Sequence, residues 1–150
     1  NKRNRMLLVH KSGIRGLAPD YPWGVFTRVF VPIHTKLLIY HGECITRRER
    51  KWRDPLGVNP YVFQGNGNMF VDASDAELAD MARFVNCTRP DESHLANTRM
   101  DINSDGQLQF TAVRDVLPGH EILCDYGQLY EWREGEDKKT TDRLPLGVHL

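Results

Sequence analysis

The sequence lacks the patterns that mark several large classes of protein. Its three cysteines, Cys44, Cys87 and Cys124, lie far apart and include no Cys-x-x-Cys pair. Neither a disulfide framework nor a structural zinc site is therefore expected, and a reducing compartment is favoured. The 20 basic residues are balanced by 20 acidic ones, which argues against a protein held to nucleic acid mainly by its charge. No apolar run approaches the roughly 20 residues that span a bilayer, and no signal peptide is visible.

The motifs of several enzyme classes are also missing. The chain has neither of the glycine-rich loops that cradle phosphates, no Gly-x-Ser-x-Gly and no His-Glu-x-x-His, so nucleotide and metal chemistry are not indicated. The stretch Asp101-x-Asn103-x-Asp105-Gly106 begins like a calcium-binding loop. That loop needs a bidentate glutamate at its twelfth position, where this chain has Ala112. The stretch therefore predicts a turn and no metal site.

The patterns that are present indicate one β-rich domain over residues 1–150. A hydrophobic content of 40% suits a single globular core. Residues 24–30 and 36–43 are rich in β-branched and aromatic side chains, which favour strands. Three later turns are predicted, at Asn66-Gly67 and Ser104-Asp105-Gly106 in hairpins and at Pro118-Gly119 before the last strand. The chain opens at Asn1 instead of a methionine, as a piece of a longer protein does.

Two segments are predicted to be helical. Residues 46–56, "TRRERKWRDPL", form a polar segment that Asp54-Pro55 would end. Its charges indicate a solvated face or a surface that helps to hold an acidic peptide. Residues 75–85, "DAELADMARFV", show a helical spacing of apolar residues after a capping Ser74 or Asp75.

Five short motifs then follow one another in a fixed order. They are "WGVF" at 23–26, "IYHGE" at 39–43, "FVDAS" at 70–74, "MARFVNCTRPDE" at 81–92 and "EILCDYG" at 121–127. In this order, and with sixteen positions from Gly24 to Tyr40, they resemble the SET-domain protein lysine methyltransferases. The Arg-Phe-Val-Asn-Cys segment is similar to the PR subfamily of that family.

The resemblance implies a fold of small sheets with a pseudoknot near the C-terminal strand. It implies two conserved parts, at about 6–46 and 71–130, separated by a variable insert at 47–70. The tail, 131–150, lacks the zinc-binding cysteines that many members have there. The resemblance further implies S-adenosylmethionine on one face, a protein lysine (a histone tail above all) entering from the other, and a nuclear location. Direct contact with nucleic acid or membrane is not expected.

Two tyrosines carry the catalytic roles that the resemblance implies. Methyl transfer to an amine needs alignment more than a metal, and a lysine with a pKa near 10.4 must first lose its proton. Burial beside a sulfonium favours the neutral amine. Tyr126 would place its hydroxyl beside the amine and the methyl group, and Tyr40 would orient the amine. Simple packing of the Tyr126 ring is the alternative.

The implied cofactor contacts come from two segments. Pro22-Trp23-Gly24 matches a Gly-x-Gly turn whose backbone meets the methionine end of the cofactor, with Pro22 in place of the first glycine. Asn86 matches an asparagine that contacts the cofactor. Cys87 stands at a position whose backbone meets the adenine, and a small buried apolar residue is its alternative role.

The remaining residues keep two interpretations each. Arg83 is either a cofactor contact or the partner of a carboxylate, and Tyr61 either lines the cofactor site or fills a hairpin core. Trp132 either covers the adenine or anchors the tail. Cys124 stands where the family limits the number of methyl groups, and its small size predicts that more than one can be added.

The function predicted from these observations is S-adenosylmethionine-dependent protein lysine N-methyltransfer. A binding module that keeps the fold without turnover is one alternative, favoured by Pro22 and the cysteine-free tail. A methyltransferase of a non-histone protein is the other.

Overall fold

A computed structural model describes residues 5–13, 22–88 and 90–125, and in this part the protein is mainly β, as predicted. The strands are β1 (Leu7–Lys11), β2 (Trp23–Thr27), β3 (Lys36–Ile39), β4 (Glu43–Thr46), β5 (Val62–Gln64), β6 (Met69–Asp72), β7 (Asn86–Thr88), β8 (Thr98–Ile102), β9 (Leu108–Ala112) and β10 (Leu123–Asp125). The structure also describes an α-helix, α1 (Arg47–Arg53), and the 3-10 helices Met81–Phe84 and Pro90–Leu95. None of the helices described is long and apolar enough to cross a membrane.

The strands form three small sheets. β1 pairs with β2, β4-β6-β5 form a second sheet, and the largest has the order β3-β9-β8-β10-β7. β10 lies between β7 and β8 and runs parallel to both. The chain that joins β7 to β8 must therefore cross β10, which gives the knot-like threading that the family resemblance implied.

The main core draws on all three sheets. Its most deeply buried members include Val25 of β2, Phe110 of β9 and Ile122, which precedes β10, each with 0% of its surface exposed. A separate cluster of Ile45, Val62 and Phe70 lies within the β4-β6-β5 sheet. Burial of such side chains is the main stabilising contribution, about 1.5–3 kcal/mol each.

The polar helix of the insert is confirmed, and its ends follow from the local sequence. Thr46 caps α1 by accepting a hydrogen bond from the Glu49 N–H at 3.1 Å. The helix ends at Arg53, immediately before Asp54. α1 has no buried residue of its own. It is held to the sheet through Arg47 and Arg50, whose guanidinium groups lie 5.6 and 5.5 Å from the centre of the Phe70 ring.

The longer helix predicted over 75–85 is wrong, because only Met81–Phe84 is helical and that turn is 3-10. Asp75 accepts a hydrogen bond from the Glu77 N–H, and Asp80 accepts one from the Ala82 N–H. Asp80 itself is extended, with φ −130° and ψ −162°. Aspartate side chains that bond to nearby backbone compete with a continuous helix, and here they divide the segment.

The predicted turns are confirmed. β5 and β6 are joined through Asn66-Gly67, and β8 and β9 through Ser104-Asp105-Gly106. Gly67 and Gly106 have φ of +61° and +78°, a conformation that glycine adopts without steric cost. A turn also lies at Pro118-Gly119, where it was expected.

Candidate active site

The side-chain amide of Asn86 lies at the centre of the first cluster of site residues. Asn86 begins β7 and is fully buried. Its Nδ2 donates to the Trp23 carbonyl at 2.8 Å and to Glu121 Oε1 at 3.1 Å. A carbonyl and a carboxylate can only accept, so these two contacts fix which end of the amide is the nitrogen. Among the described residues, Asn86 Oδ1 is buried and has no hydrogen-bond partner.

Glu121 is a site residue that the sequence interpretation did not name. Its Oε1 accepts from Ser12 Oγ at 2.6 Å as well as from Asn86, and its Oε2 accepts from the Gly13 N–H at 3.1 Å. The backbone of Glu121 forms an antiparallel bridge with Phe26 of β2, which holds the carboxylate near the start of that strand. The glutamate that opens "EILCDYG" was the available signal.

Gly24 leaves the space that the Glu121 carboxylate occupies. A Cβ on Gly24 would lie 2.1 Å from Glu121 Oε1 and 3.3 Å from Asn86 Nδ2. The resemblance implied that the backbone here meets the cofactor, which stays a prediction. The described groups next to Gly24 are this carboxylate and this amide.

Pro22 and Trp23 contribute backbone to this cluster. Trp23 and Gly24 form the beginning of β2, paired with Lys11 and His10 of β1. Gly24 lies in a strand, as predicted for residues 24–30, whereas the resemblance implied a turn at 22–24. The Pro22 carbonyl accepts a hydrogen bond from the Ser12 N–H at 2.8 Å. The Trp23 side chain is 43% exposed, and its contact with the site is made by its carbonyl.

Tyr40 lies at the centre of a second cluster. Its hydroxyl donates to the Tyr61 carbonyl at 2.9 Å, and that carbonyl also accepts from the Ala73 N–H at 2.9 Å. The Tyr40 ring packs edge-on against Phe63 and Phe110, with centroids 5.0 and 6.3 Å away. The phenol proton is thus directed to a backbone oxygen, and the oxygen of the phenol keeps capacity to accept.

The electrostatic surroundings keep the Tyr40 phenol neutral. Burial raises the pKa of Tyr40 well above its ordinary value of 10.0, and the Cys87 thiol adds to that rise while Arg83 partly opposes it. Cys87 follows Asn86 directly in β7, so the two clusters adjoin along this strand.

Gly42 fixes the end of the segment that carries Tyr40. A Cβ on Gly42 would lie 2.5 Å from the Asp72 carbonyl oxygen and 3.0 Å from the Ala73 nitrogen. Backbone atoms cannot move aside as a side chain can, so only glycine fits here. This accounts physically for the glycine of the Tyr-x-Gly-Glu motif.

Arg83 and Tyr61 stack on each other. The guanidinium of Arg83 lies 4.3 Å from the centre of the Tyr61 ring and 5.3 Å from that of Phe84, and it donates to the Ser74 carbonyl at 3.3 Å. Among the described residues Arg83 has no carboxylate at ion-pair distance, which does not favour the carboxylate interpretation. Tyr61 is partly buried against the main core and precedes β5, and its role at the cofactor stays a prediction.

Cys87 and Cys124 are neighbours on two strands. They are partners in the parallel register of β7 and β10, and both are buried. Cys87 belongs to the main core, which suits the small apolar role. The structure describes β10 as far as Asp125. Tyr126 and Trp132 lie outside the described residues.

Residues 22–127 match the family model described as the SET domain. The chain belongs to the SET-domain family. Its curated relatives include histone-lysine N-methyltransferase set-17 of Caenorhabditis elegans, 25% identical over 122 residues that cover 79% of this chain and 42% of that protein. A histone-lysine N-methyltransferase of Schizosaccharomyces pombe, H3 lysine-9 specific, is 29% identical over 129 residues, covering 79% of this chain and 26% of that protein. The chain thus spans less than half of each relative.

Solved structures show the same fold. The Chaetomium thermophilum polycomb repressive complex 2 matches with a TM-score of 0.65 and 22% identity, over 81% of this SET domain and 15% of that chain. The complex titled ctPRC2, in an autoinhibited conformation bound to S-adenosylmethionine, matches with a TM-score of 0.64 and 22% identity, over 91% and 16%. At this identity the likeness establishes the fold, and function must be argued from the site.

Proposed function

We propose that this SET domain is an S-adenosylmethionine-dependent protein lysine N-methyltransferase that acts on a histone tail. The observation that carries the proposal is the buried amide of Asn86, whose nitrogen is committed to two acceptors and whose oxygen lacks a donor among the described residues. The named histone-lysine methyltransferases among the relatives support the same activity.

The residues present fit this cofactor. A buried oxygen without a donor costs about 1–3 kcal/mol, and a ligand that brings an N–H group offsets that cost. S-adenosylmethionine carries an ammonium on its amino-acid end and, when bound, supplies a methyl group on a sulfonium. In the proposal Asn86 Oδ1 accepts from the ammonium, while the backbone of Pro22, Trp23 and Gly24 lies alongside.

Tyr40 is the described residue that would orient the substrate amine. The Tyr40 hydroxyl donates its hydrogen bond to the Tyr61 carbonyl, so its oxygen can only accept a hydrogen bond from a substrate lysine. An amine N–H that donates to this oxygen leaves the nitrogen lone pair free to attack. Holding the amine in this way contributes alignment, the main requirement of a two-reactant transfer.

Tyr40 is not the base in this mechanism. Because burial holds its pKa above the ordinary value, the phenol stays protonated at neutral pH and does not take the lysine proton. The lysine proton would leave to water before transfer, and a buried site favours the neutral amine once it has left.

Several parts of the proposal rest on the family pattern. Tyr126 next to the reacting groups, Trp132 over the adenine and a nuclear location belong here. So does the division into parts at about 6–46 and 71–130. Cys124 is proposed to leave room for more than one methyl group on the lysine. Mass spectrometry would contradict this if the product remained monomethyl-lysine after long incubation.

The test is calorimetric titration with S-adenosylmethionine followed by a methyl-transfer assay on mixed histones. We expect the wild type to bind S-adenosylmethionine with micromolar affinity and to methylate histones, and we expect Tyr126→Phe to abolish the methylation. Binding without transfer would favour an interaction module, and transfer only to non-histone proteins would move the substrate. Absence of binding would contradict the proposal.

A further inference from the structure

We infer that Glu121 is a positioning residue that holds the Asn86 amide in the orientation that receives a ligand ammonium. The inference rests on the proposed function for the identity of that ligand. The contact itself, between Glu121 Oε1 and Asn86 Nδ2 at 3.1 Å, does not depend on it.

The Asn86 amide has two possible orientations, and its neighbours select one. If the amide were turned by 180°, Oδ1 would face the Trp23 carbonyl and the Glu121 carboxylate, which are both acceptors, and two hydrogen bonds would be replaced by repulsion. Trp23 provides one of these two acceptors through its backbone, which no side-chain substitution removes. Glu121 provides the other and carries the negative charge, which makes its bond the stronger kind.

The carboxylate is itself held from a distant part of the chain. Ser12 donates to Oε1 at 2.6 Å and the Gly13 N–H to Oε2 at 3.1 Å, across 109 and 108 positions of sequence. Gly24 leaves the space in which the carboxylate lies, since a Cβ there would come within 2.1 Å of Oε1. Two segments, at residues 12–13 and at Gly24, therefore converge on the carboxylate that bonds to Asn86.

This arrangement gives Glu121 a role that is distinct from stability. Removing its oxygens should loosen the amide and weaken the hydrogen bond from Asn86 Oδ1 to a ligand ammonium. Ligand contacts that do not involve the ammonium should keep their strength. The effect is then specific to one functional group of the ligand.

The test measures binding of S-adenosyl-L-homocysteine and of its desamino analogue, in which hydrogen replaces the amino group, by calorimetry. The wild type is expected to bind the amino form about tenfold or more tightly than the desamino form, because a hydrogen bond to a charged group contributes about that much to affinity. Glu121→Met keeps the reach of the side chain without an oxygen, and the preference should fall to about threefold or less. Glu77→Ala, which removes an exposed carboxylate, is the matched control and should keep the full preference.

A double variant, Glu121→Met with Asn86→Ala, tests whether Glu121 acts on the ligand through Asn86. If Glu121 acts through Asn86, adding Glu121→Met to Asn86→Ala should not lower the preference further. A Glu121→Met variant that unfolds cooperatively and keeps the wild-type preference would overturn the inference. Should that variant fail to fold, Glu121→Leu, which also lacks a side-chain oxygen, replaces it, and an unchanged preference there would equally overturn the inference.

A ligand-free measurement separates this inference from the proposed function. The Asn86 side-chain amide gives two NMR proton signals, both from hydrogen-bonded protons in the wild type. Glu121→Met should shift one of them and speed its exchange with water. If the wild type bound neither ligand, the proposed function would be contradicted. If the Asn86 amide signals were unchanged in Glu121→Met, the positioning role would be contradicted, whatever the ligand measurements showed.

Discussion

Two clusters in this domain, each centred on one charged side chain, differ in how far apart in sequence their members lie and in what they hold in place. The cluster around Glu121 joins residues from the two ends and the middle of the described chain, at Ser12, Gly13 and Asn86. The cluster around Arg53 joins Glu43, Glu49 and Asp72, all within 19 positions of it.

Their surroundings differ as well. The Arg53 side chain is 34% exposed and that of Glu49 is 50% exposed, so water and salt weaken their attraction. The Glu121 carboxylate instead meets a fully buried amide. In the proposed role, Glu121 contributes to the site through the amide that it orients, whereas the ion pairs of Arg53 join α1 to β4 and β6.

Asn86→Ala should have the largest effect on ligand binding. It removes the buried amide and leaves the Trp23 carbonyl and the Glu121 carboxylate without that donor, so the affinity for S-adenosylmethionine should fall about hundredfold or more. Calorimetry measures this directly. Asn68→Ala, in the exposed turn between β5 and β6, is the control and should bind as the wild type does.

Gly24→Ala should have the next largest effect. The new Cβ would collide with Glu121 Oε1, and an overpacked site of this kind costs about 1–3 kcal/mol in the free energy of unfolding. Chemical denaturation measures that cost. Gly65→Ala, whose Cβ would meet its nearest neighbour at an ordinary 3.5 Å, should cost less. In a Glu121→Ala background the additional cost of Gly24→Ala should shrink, and full additivity would contradict the proposed collision.

Tyr40→Phe should separate catalysis from stability. The Tyr61 carbonyl keeps its bond from the Ala73 N–H, so the loss in stability should be only about 1 kcal/mol. The methyl-transfer rate should fall about tenfold to hundredfold because the amine is no longer aligned. Single-turnover kinetics and denaturation measure the two effects. A large loss of stability with an unchanged rate would assign the hydroxyl a structural role alone.

Alkaline pH should destabilise the wild type more than Tyr40→Phe. The pKa of Tyr40 is raised in the folded state, so its contribution to stability is complete below the ordinary value of 10.0 and is lost as pH rises above that value. Denaturation at about pH 9 and about pH 11 should show the difference. Equal losses in the two proteins would contradict the raised pKa.

Arg53→Ala should have the smallest effect. The pKa of Glu43 is lowered by its hydrogen bond from Arg53, but both groups are exposed to solvent, so the melting temperature should fall by no more than about 3 °C. Ligand affinity should not change. High salt should reduce the difference in melting temperature, which calorimetry at two salt concentrations would show.

Local signals in the sequence predicted much of the fold. The polar helix within residues 46–56, the Asn66-Gly67 turn and the Asp105-Gly106 turn all depend on nearby residues, and each was placed correctly. The helix over 75–85 was predicted wrongly, because an apolar spacing does not reveal that the Asp80 side chain will bond to the next turn of backbone.

The candidate site was predictable in part. The family pattern named Gly24, Asn86 and Tyr40 as site residues, and the structure brings the first two together. Glu121 was missed because its partners lie 35 and 109 positions away, and no spacing rule links such residues. The stacking of Arg83 on Tyr61 was missed for a similar reason, since it depends on how a 3-10 turn packs against a hairpin.

The position of β10 has a consequence for how the domain is made. This strand, Leu123–Asp125, is the last strand of the largest sheet in sequence, yet it lies inside that sheet between β8 and β7. During synthesis β7 and β8 are made before β10. Until β10 is in place, the edges of β7 and β8 that will face it are unpaired and can bind strands of other chains. A chain that ended before residue 123 would therefore lack one inner strand of its largest sheet, and we expect such a chain to aggregate.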